Sequence, residues 1–349
     1  MILHAIPDFA LAYPDSGNWK AVHATEITLR SIGASARRFV FHGEDPGTVI
    51  GACTPDITDV IVEYSYWGWL VKRLVQARPG VRVHVRAHNP EALQHWHREA
   101  PSLTAPAHLA RCTYGCLRVL WQDTLCCRYA TSLLGIGPWE TATYWRRLPG
   151  RAQVEHMPYF SPWPTLRPGA RLLPWAERRQ VILGLPGGFS GRFHRDQVIG
   201  LGKMAASYRD CAVSRPGWAF LCTRGVLTDV PVDMAQPGVE FTPVTDDVWG
   251  LLGSVRAVAV LTDLGFGIKT TVIDAVAAGC YAIVPPKLWS RLPAAAQRHC
   301  LRCVPGDARS VADVLAQAER APDADDPNQT LRNEAANALR RVLSVVDAP

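Results

Sequence analysis

The sequence predicts an α/β protein built from two Rossmann-like domains, each a parallel sheet with helices on both faces. Three observations carry this. Short β-rich runs alternate with helical patterns through the first 160 residues, a proline-dense interval follows, and the same rhythm then restarts. A chain of 349 residues is comfortable for two such domains.

Taken in order, Ile2–Ile6 reads as the first strand, and Gly17-Asn18 opens a helix over about Lys20–Ile32. Arg38–Phe41 and Val60–Glu63 read as strands. Gly68–Arg78 has apolar residues at helical spacing and is stopped by Pro79-Gly80, and Val81–Arg86 is again a strand. Pro158, Pro162, Pro164, Pro168 and Pro174 mark a poor helix and a poor central strand, hence a linker over 161–178 between an N-terminal domain (1–160) and a C-terminal domain (179–328). Beyond it, Val181–Leu185, Ala219–Cys222, Val239–Phe241, Ala257–Leu261 and Ala282–Val284 read as strands, with helices near Gln197–Tyr208 and Val248–Leu252 and another ending at Gly279. Residues 329–349 carry an amphipathic helix, expected to pack back on the N-terminal domain.

Composition narrows the function. A net charge of +6 with no Lys/Arg block argues against a nucleic-acid partner and suits an anionic small molecule. No apolar stretch is long enough to span a membrane, and the N-terminus lacks the pattern of a signal peptide, so a cytoplasmic protein is expected. The ten cysteines include Cys112 and Cys116, four apart, and the adjacent Cys126 and Cys127. Without paired CxxC spacing they read as reduced, mostly buried thiols, and no metal site is expected.

The chemistry concentrates in residues 261–284, which read as strand, Gly-rich turn, helix and strand. Gly265 and Gly267 let the backbone approach a ligand closely. Thr270 and Thr271 open the helix, whose free amides and positive dipole end suit a phosphate, and Lys269 adds a cation. Asp274, one turn in, is placed to take hydroxyl donors from a sugar. It equally fits a capping box with Thr271. A Walker A loop is excluded by Ile268 before the Lys, and a dinucleotide fingerprint by Thr270 at its third glycine.

This segment resembles the nucleotide-sugar motif of GT-B glycosyltransferases, particularly family-4-like enzymes with the pattern GxGIKxKxxEAxAxG. Gly265, Gly267, Ile268, Lys269, Asp274, Ala275 and Gly279 match it. Thr271 replaces the second basic residue, Asp274 replaces Glu, and Leu264 stands where the longer pattern has another Glu. The resemblance implies two domains facing across a cleft. It also implies metal-independent, retaining transfer from a UDP or GDP sugar to a glycan or lipid-linked acceptor, without a cofactor, as in bacterial surface polysaccharide synthesis. Contact with the inner face of the membrane goes with such an acceptor. A nucleotide-sugar epimerase of the same fold and a non-catalytic binding protein are the alternatives.

The resemblance adds Gly191 and Arg192 on the diphosphate, Val244 near the base, Gly17 in a loop facing the phosphates, and Phe266 in the donor turn itself. It makes His88, after the Val81–Arg86 strand, the candidate catalytic residue beside Asp274. Asn89 and Glu91 follow His88, and Tyr64, Tyr66 and Trp67 form an aromatic cluster; together these are the candidate acceptor residues. Core packing is the competing reading for the aromatics, and Glu63 and Glu91 are the carboxylates at suitable strand ends.

Overall fold

The computed structural model describes residues 1–43, 45, 47–99, 105–186, 192–211, 217–223, 230–243, 245, 247–262 and 266–343. The chain divides into two compact units. The first holds residues 1–162, 265–270 and 329–349; the second holds 163–264 and 271–328.

The first unit runs β1 (Ile2–Pro7), α1 (Gly17–Ser31), β2 (Ala36–Phe41), α2 (Thr48–Ala52), β3 (Asp59–Glu63), α3 (Gly68–Ala77), β4 (Arg82–Ala87), α4 (Glu91–Glu99), α5 (Pro106–Tyr129), β5 (Ser132–Gly135), α6 (Pro138–Thr143) and β6 (Gln153–His156). The strands pair in parallel in the order β2-β1-β3-β4-β5-β6. β1 and β3 are buried along their whole length, as expected for inner strands covered on both faces. The edge strand β2 alternates exposed and half-buried residues. Ser16 ends the β1 loop and caps α1, its Oγ accepting from the Trp19 amide at 3.2 Å.

The second unit runs α7 (Trp163–Leu166), β7 (Arg179–Gly184), α8 (Arg192–Cys211), β8 (Ala219–Thr223), β9 (Glu240–Thr242), α9 (Val248–Leu252), β10 (Val255–Ala259), α10 (Thr270–Ala277), β11 (Tyr281–Val284), α11 (Pro286–Trp289), α12 (Ala294–Gln297), β12 (Cys300–Arg302), α13 (Ala308–Gln317) and α14 (Pro327–Leu343). Thr270 and the body of α14 group with the first unit. The parallel order is β12-β11-β10-β7-β8-β9.

Each sheet has one place where the strand order reverses: between β1 and β3 in the first, between β7 and β10 in the second. Loops leaving such neighbouring strands part in opposite directions and open a crevice at the carboxyl ends, where ligands of open α/β sheets bind. The two non-glycine residues with positive φ among the described residues, Asp15 (64°) and Tyr64 (71°), follow β1 and β3 and so flank the first of these places.

Some elements differ from the sequence expectation. β10 lies two residues earlier than Ala257–Leu261, because after Ala259 the chain leaves the ladder with one last bond from the Val260 amide to Ile283. The proline interval contains the single helical turn α7, with Pro164 in its first turn, where no amide donor is needed. β5 and β12 add strands that the sequence reading did not name.

Candidate functional site

In the first unit the crevice is built on a buried relay. Glu63, the last residue of β3, is fully buried and accepts from two imidazoles. His4 Nε2 lies 2.8 Å from Oε1, and His88 Nε2 lies 2.6 Å from Oε2. Burial alone would raise the Glu63 pKa. The hydrogen bonds from His4 and His88 outweigh it and hold the carboxyl well below the ordinary range. Burial pushes the His88 pKa down, so at neutral pH the site holds a neutral imidazole against a carboxylate. Arg86, paired in register with Glu63, is also buried; its guanidinium donates to the Met157 carbonyl, and burial lowers its pKa to about 10.

Tyr64 covers the relay. Its ring stacks on His88 with centroids 3.9 Å apart and planes 12° apart, and Phe9 from the β1 loop tilts against it at 5.0 Å. The backbone takes φ 71°, ψ 141°, a region that costs a non-glycine residue on the order of 1–3 kcal/mol. Strain of this kind persists where the surroundings over-determine it, as they do here.

The glycine turn at Phe266–Thr270 meets this relay. By contact, residues 265–270 group with the first unit rather than with the C-terminal domain to which the sequence assigns them. The reason is a set of specific bonds. The Phe266 amide donates to Gln94 Oε1 at 2.7 Å, and the Gly267 amide donates to Glu140 Oε1 at 2.6 Å. The Phe266 ring lies edge-on to His97 and stacked near Trp139. Gly267 has φ +75°, and an added Cβ would fall 2.7 Å from the His88 carbonyl oxygen. Gly267 is thus in close approach to His88 and Asn89 of the same unit, whereas the sequence expects it to approach a ligand. Gly17 joins the group: a Cβ there would sit 3.0 Å from Thr270 Oγ1.

The structure thus brings together Gly17, His88, Asn89, Phe266, Gly267 and Thr270 within one unit. Ile268 is buried, and Lys269 and Thr270 are half-buried. Asp274 is 1 % exposed on α10, and Thr271 is half-buried. α10 starts at Thr270, so Asp274 is its fifth residue, too far along for the capping box that the sequence also allowed. Gly191, Val244, Gly265 and Leu264 lie outside the described residues, as does the side chain of Arg192, which begins α8.

The acceptor candidates separate. Tyr64 is 3 % exposed, and Trp67 packs edge-on against Phe41 in the core, so neither offers an open stacking face. Tyr66 is 37 % exposed, its hydroxyl donating to the buried Glu91 carboxylate at 2.5 Å. Asn89 is half-buried; with its amide turned to satisfy its neighbours, it donates to the His88 and Phe266 carbonyls at 3.1 and 3.0 Å.

Several residues escaped the sequence reading. His4, Gln94 and Glu140 carry no local motif, and their partners lie 59, 172 and 127 residues away. Arg178 is another: it donates to the Ala278 and Gly279 carbonyls at 2.9 and 2.8 Å, a cation at the C-terminus of α10.

Two parallel Rossmann-like sheets, with the strand order reversing once in each, define the GT-B fold. Solved structures sharing it include sucrose-phosphate synthase from Thermosynechococcus elongatus, at TM-score 0.58 and 14% identity over 99% of this chain and 94% of that one. The Escherichia coli trehalose-6-phosphate protein bound with UDP-2-fluoro glucose aligns at 0.57 and 11% over 99% and 96%. HepE of Anabaena in complex with UDP aligns at 0.56 and 14% over 99% and 96%. At these identities the likeness establishes the fold. No family model matches the sequence, and no curated protein matches it.

Proposed function

We propose that the protein transfers a sugar from a nucleotide-diphosphate sugar, with UDP as the nucleotide, to an acceptor hydroxyl. The observation that carries this reading is the glycine turn at Gly267, seated on the main chain of His88 and leading into the N-terminus of α10, in a chain with the GT-B fold. Structures of that fold hold UDP in HepE and UDP-2-fluoro glucose in the E. coli protein.

In this reading the amides of residues 268–271, with Gly17, Lys269 and Arg192, take the diphosphate, Val244 borders the base, and Asp274 takes sugar hydroxyls. Charge growing on the leaving diphosphate is stabilised by fixed donors, each worth roughly 3–4 kcal/mol in comparable oxyanion sites, without a metal ion. His88, its Nε2 committed to Glu63, meets the substrate through Nδ1. Glu63 is fully enclosed between two imidazoles and orients His88 rather than attacking carbon. That leaves no enclosed carboxylate nucleophile in this relay and accords with retention by attack on the same face.

The acceptor in this reading is a glycan carried on a lipid, as in surface polysaccharide synthesis. No described helix is long and apolar enough to cross a membrane. On α5, however, Tyr114, Leu117 and Trp121 are 68%, 60% and 59% exposed at helical spacing, and Arg111 and Arg118 lie on the same helix, a pattern suited to an anionic lipid surface.

A thermal-shift panel of UDP, GDP, ADP and CMP sugars tests the donor assignment. A shift with UDP sugars that Lys269→Ala weakens by about tenfold supports it, as one lost charge-assisted contact is worth about 1.4 kcal/mol. No shift with any nucleotide overturns it, and an epimer formed without acceptor points to the epimerase instead.

A further inference from the structure

In sequence Cys112 and Cys116 read as buried thiols four residues apart. The fold brings them to a third residue. They lie one turn apart on α5, and His95 faces them from α4; the Sγ atoms and an imidazole nitrogen all lie within 4.8 Å of one another. Cys112 is buried, and Cys116 and His95 are half-buried.

We propose that His95, Cys112 and Cys116 form a binding site for a borderline-soft divalent cation, Zn²⁺ being the ion that fits the donor set. Two thiolates and an imidazole are the ligands such an ion prefers, and the two negative charges neutralise it. Tetrahedral bonding at about 2.3 Å to sulfur and 2.0 Å to nitrogen sets ligand atoms roughly 3.5–3.8 Å apart, so the side chains close by about 1 Å.

Gly115 is the second observation. It sits in the middle of α5, where glycine costs the helix about 0.5–1 kcal/mol relative to alanine. A Cβ there would meet the His95 ring, lying 3.0 Å from Cε1 and inside contact distance of Nε2. The missing side chain leaves the imidazole its place between the two cysteines. The third is access: His95 and Cys112 line a cavity of about 500 Å³ together with Glu99 and His108, through which an ion enters and from which water or a further donor fills the fourth position.

Binding releases both thiol protons to solvent, forming two S–metal bonds in place of two S–H bonds, with no change of oxidation state. The ion would also clasp α4 to α5. α4 carries Gln94 and His97, which hold Phe266, so the site bears on the donor turn while being independent of what that turn binds.

The test uses the reduced full-length chain. Titration with Co²⁺ should give a thiolate-to-cobalt charge-transfer band saturating at one ion per chain. Zn²⁺ should displace it and raise Tm. The Cys112→Ser/Cys116→Ser protein should lose the band. Gly115→Ala, which keeps both thiols but pushes the His95 ring aside, should bind about 10- to 100-fold more weakly while the chain still folds, as far-UV circular dichroism checks. Absence of the band in the reduced wild type, or binding unchanged in both variants, overturns the proposal. Its failure would leave the UDP thermal shift untouched, so the two readings fail separately.

Discussion

The first sheet carries buried histidine–carboxylate networks at both ends, and they behave differently. At the carboxyl end stand His4, Glu63 and His88. Toward the amino end His84 lies between Asp59 and Ser132, with Nε2 2.9 Å from Asp59 Oδ1 and Nδ1 2.8 Å from Ser132 Oγ. By composition the second is a Ser-His-Asp set, the better-known catalytic arrangement. By position it is structural. All three residues are at most 3 % exposed, and Asp59 is also held by Arg82, which donates to the Leu343 carbonyl and so ties α14 to the sheet. The first network has what the second lacks: a place beside the reversal of strand order, a strained Tyr64 over it, and a glycine turn seated on its histidine. Position relative to the strand ends, rather than residue type, separates the two.

Breaking the carboxyl-end network should have the largest effect. Glu63→Gln keeps the shape but removes the charge and one acceptor, leaving a buried imidazole without its partner. The expected loss is about 1–3 kcal/mol in unfolding free energy and a fall in kcat of on the order of 10²-fold or more, read by denaturant melts and initial rates. His88→Ala should cost a similar factor in kcat with donor affinity nearly kept. Unchanged rates in both variants would remove His88 from the chemistry.

Much of this fold is legible in the sequence, because β1 and β3 are mostly apolar runs bounded by turns and β4 alternates Val83 and Val85 with Arg and His. β5 and β12, four and three residues long, are too short to show a period, and only pairing with β4 and β11 makes them strands. The need for glycine at 267 is legible; what it approaches is not, since His88 is distant in sequence. His88 stands out at a strand end, but its partner His4 is picked out only by the sheet order β1-β3-β4. Likewise the spacing of Cys112 and Cys116 is visible, while His95 joins them only through the packing of α4 on α5.

At the other end of the sheet, Asp59→Asn should lower stability by about 1–3 kcal/mol and leave kcat within about twofold. Acid titration of the fold adds the sign. Burial raises the Asp59 pKa, but hydrogen bonds from His84, Arg82 and Thr58 outweigh this and bring it down to about 2. Its unfolded value is about 3.9. Asp59 therefore contributes stability above about pH 4 that is lost as pH falls toward 2, and the Asn variant should show a shallower fall over that window. A kcat that drops with this variant would erase the distinction between the two ends.

The smallest effect should come from Tyr64→Gly, and it sharpens the comparison most. Glycine adopts the Tyr64 backbone without strain, so the loop should keep its path while the ring that stacks on His88 is gone. Burial is the main cause of the lowered His88 pKa, and opening the ring to water should raise it toward 6.5. With the neutral imidazole as the working form, as proposed above, activity should fall as pH drops through the His88 pKa. The acid limb of kcat/KM should therefore move to higher pH in Tyr64→Gly. The Asp59 network touches neither ring, so Asp59→Asn should leave that limb where it is. A limb that stays fixed in Tyr64→Gly would mean that a group other than His88 sets it.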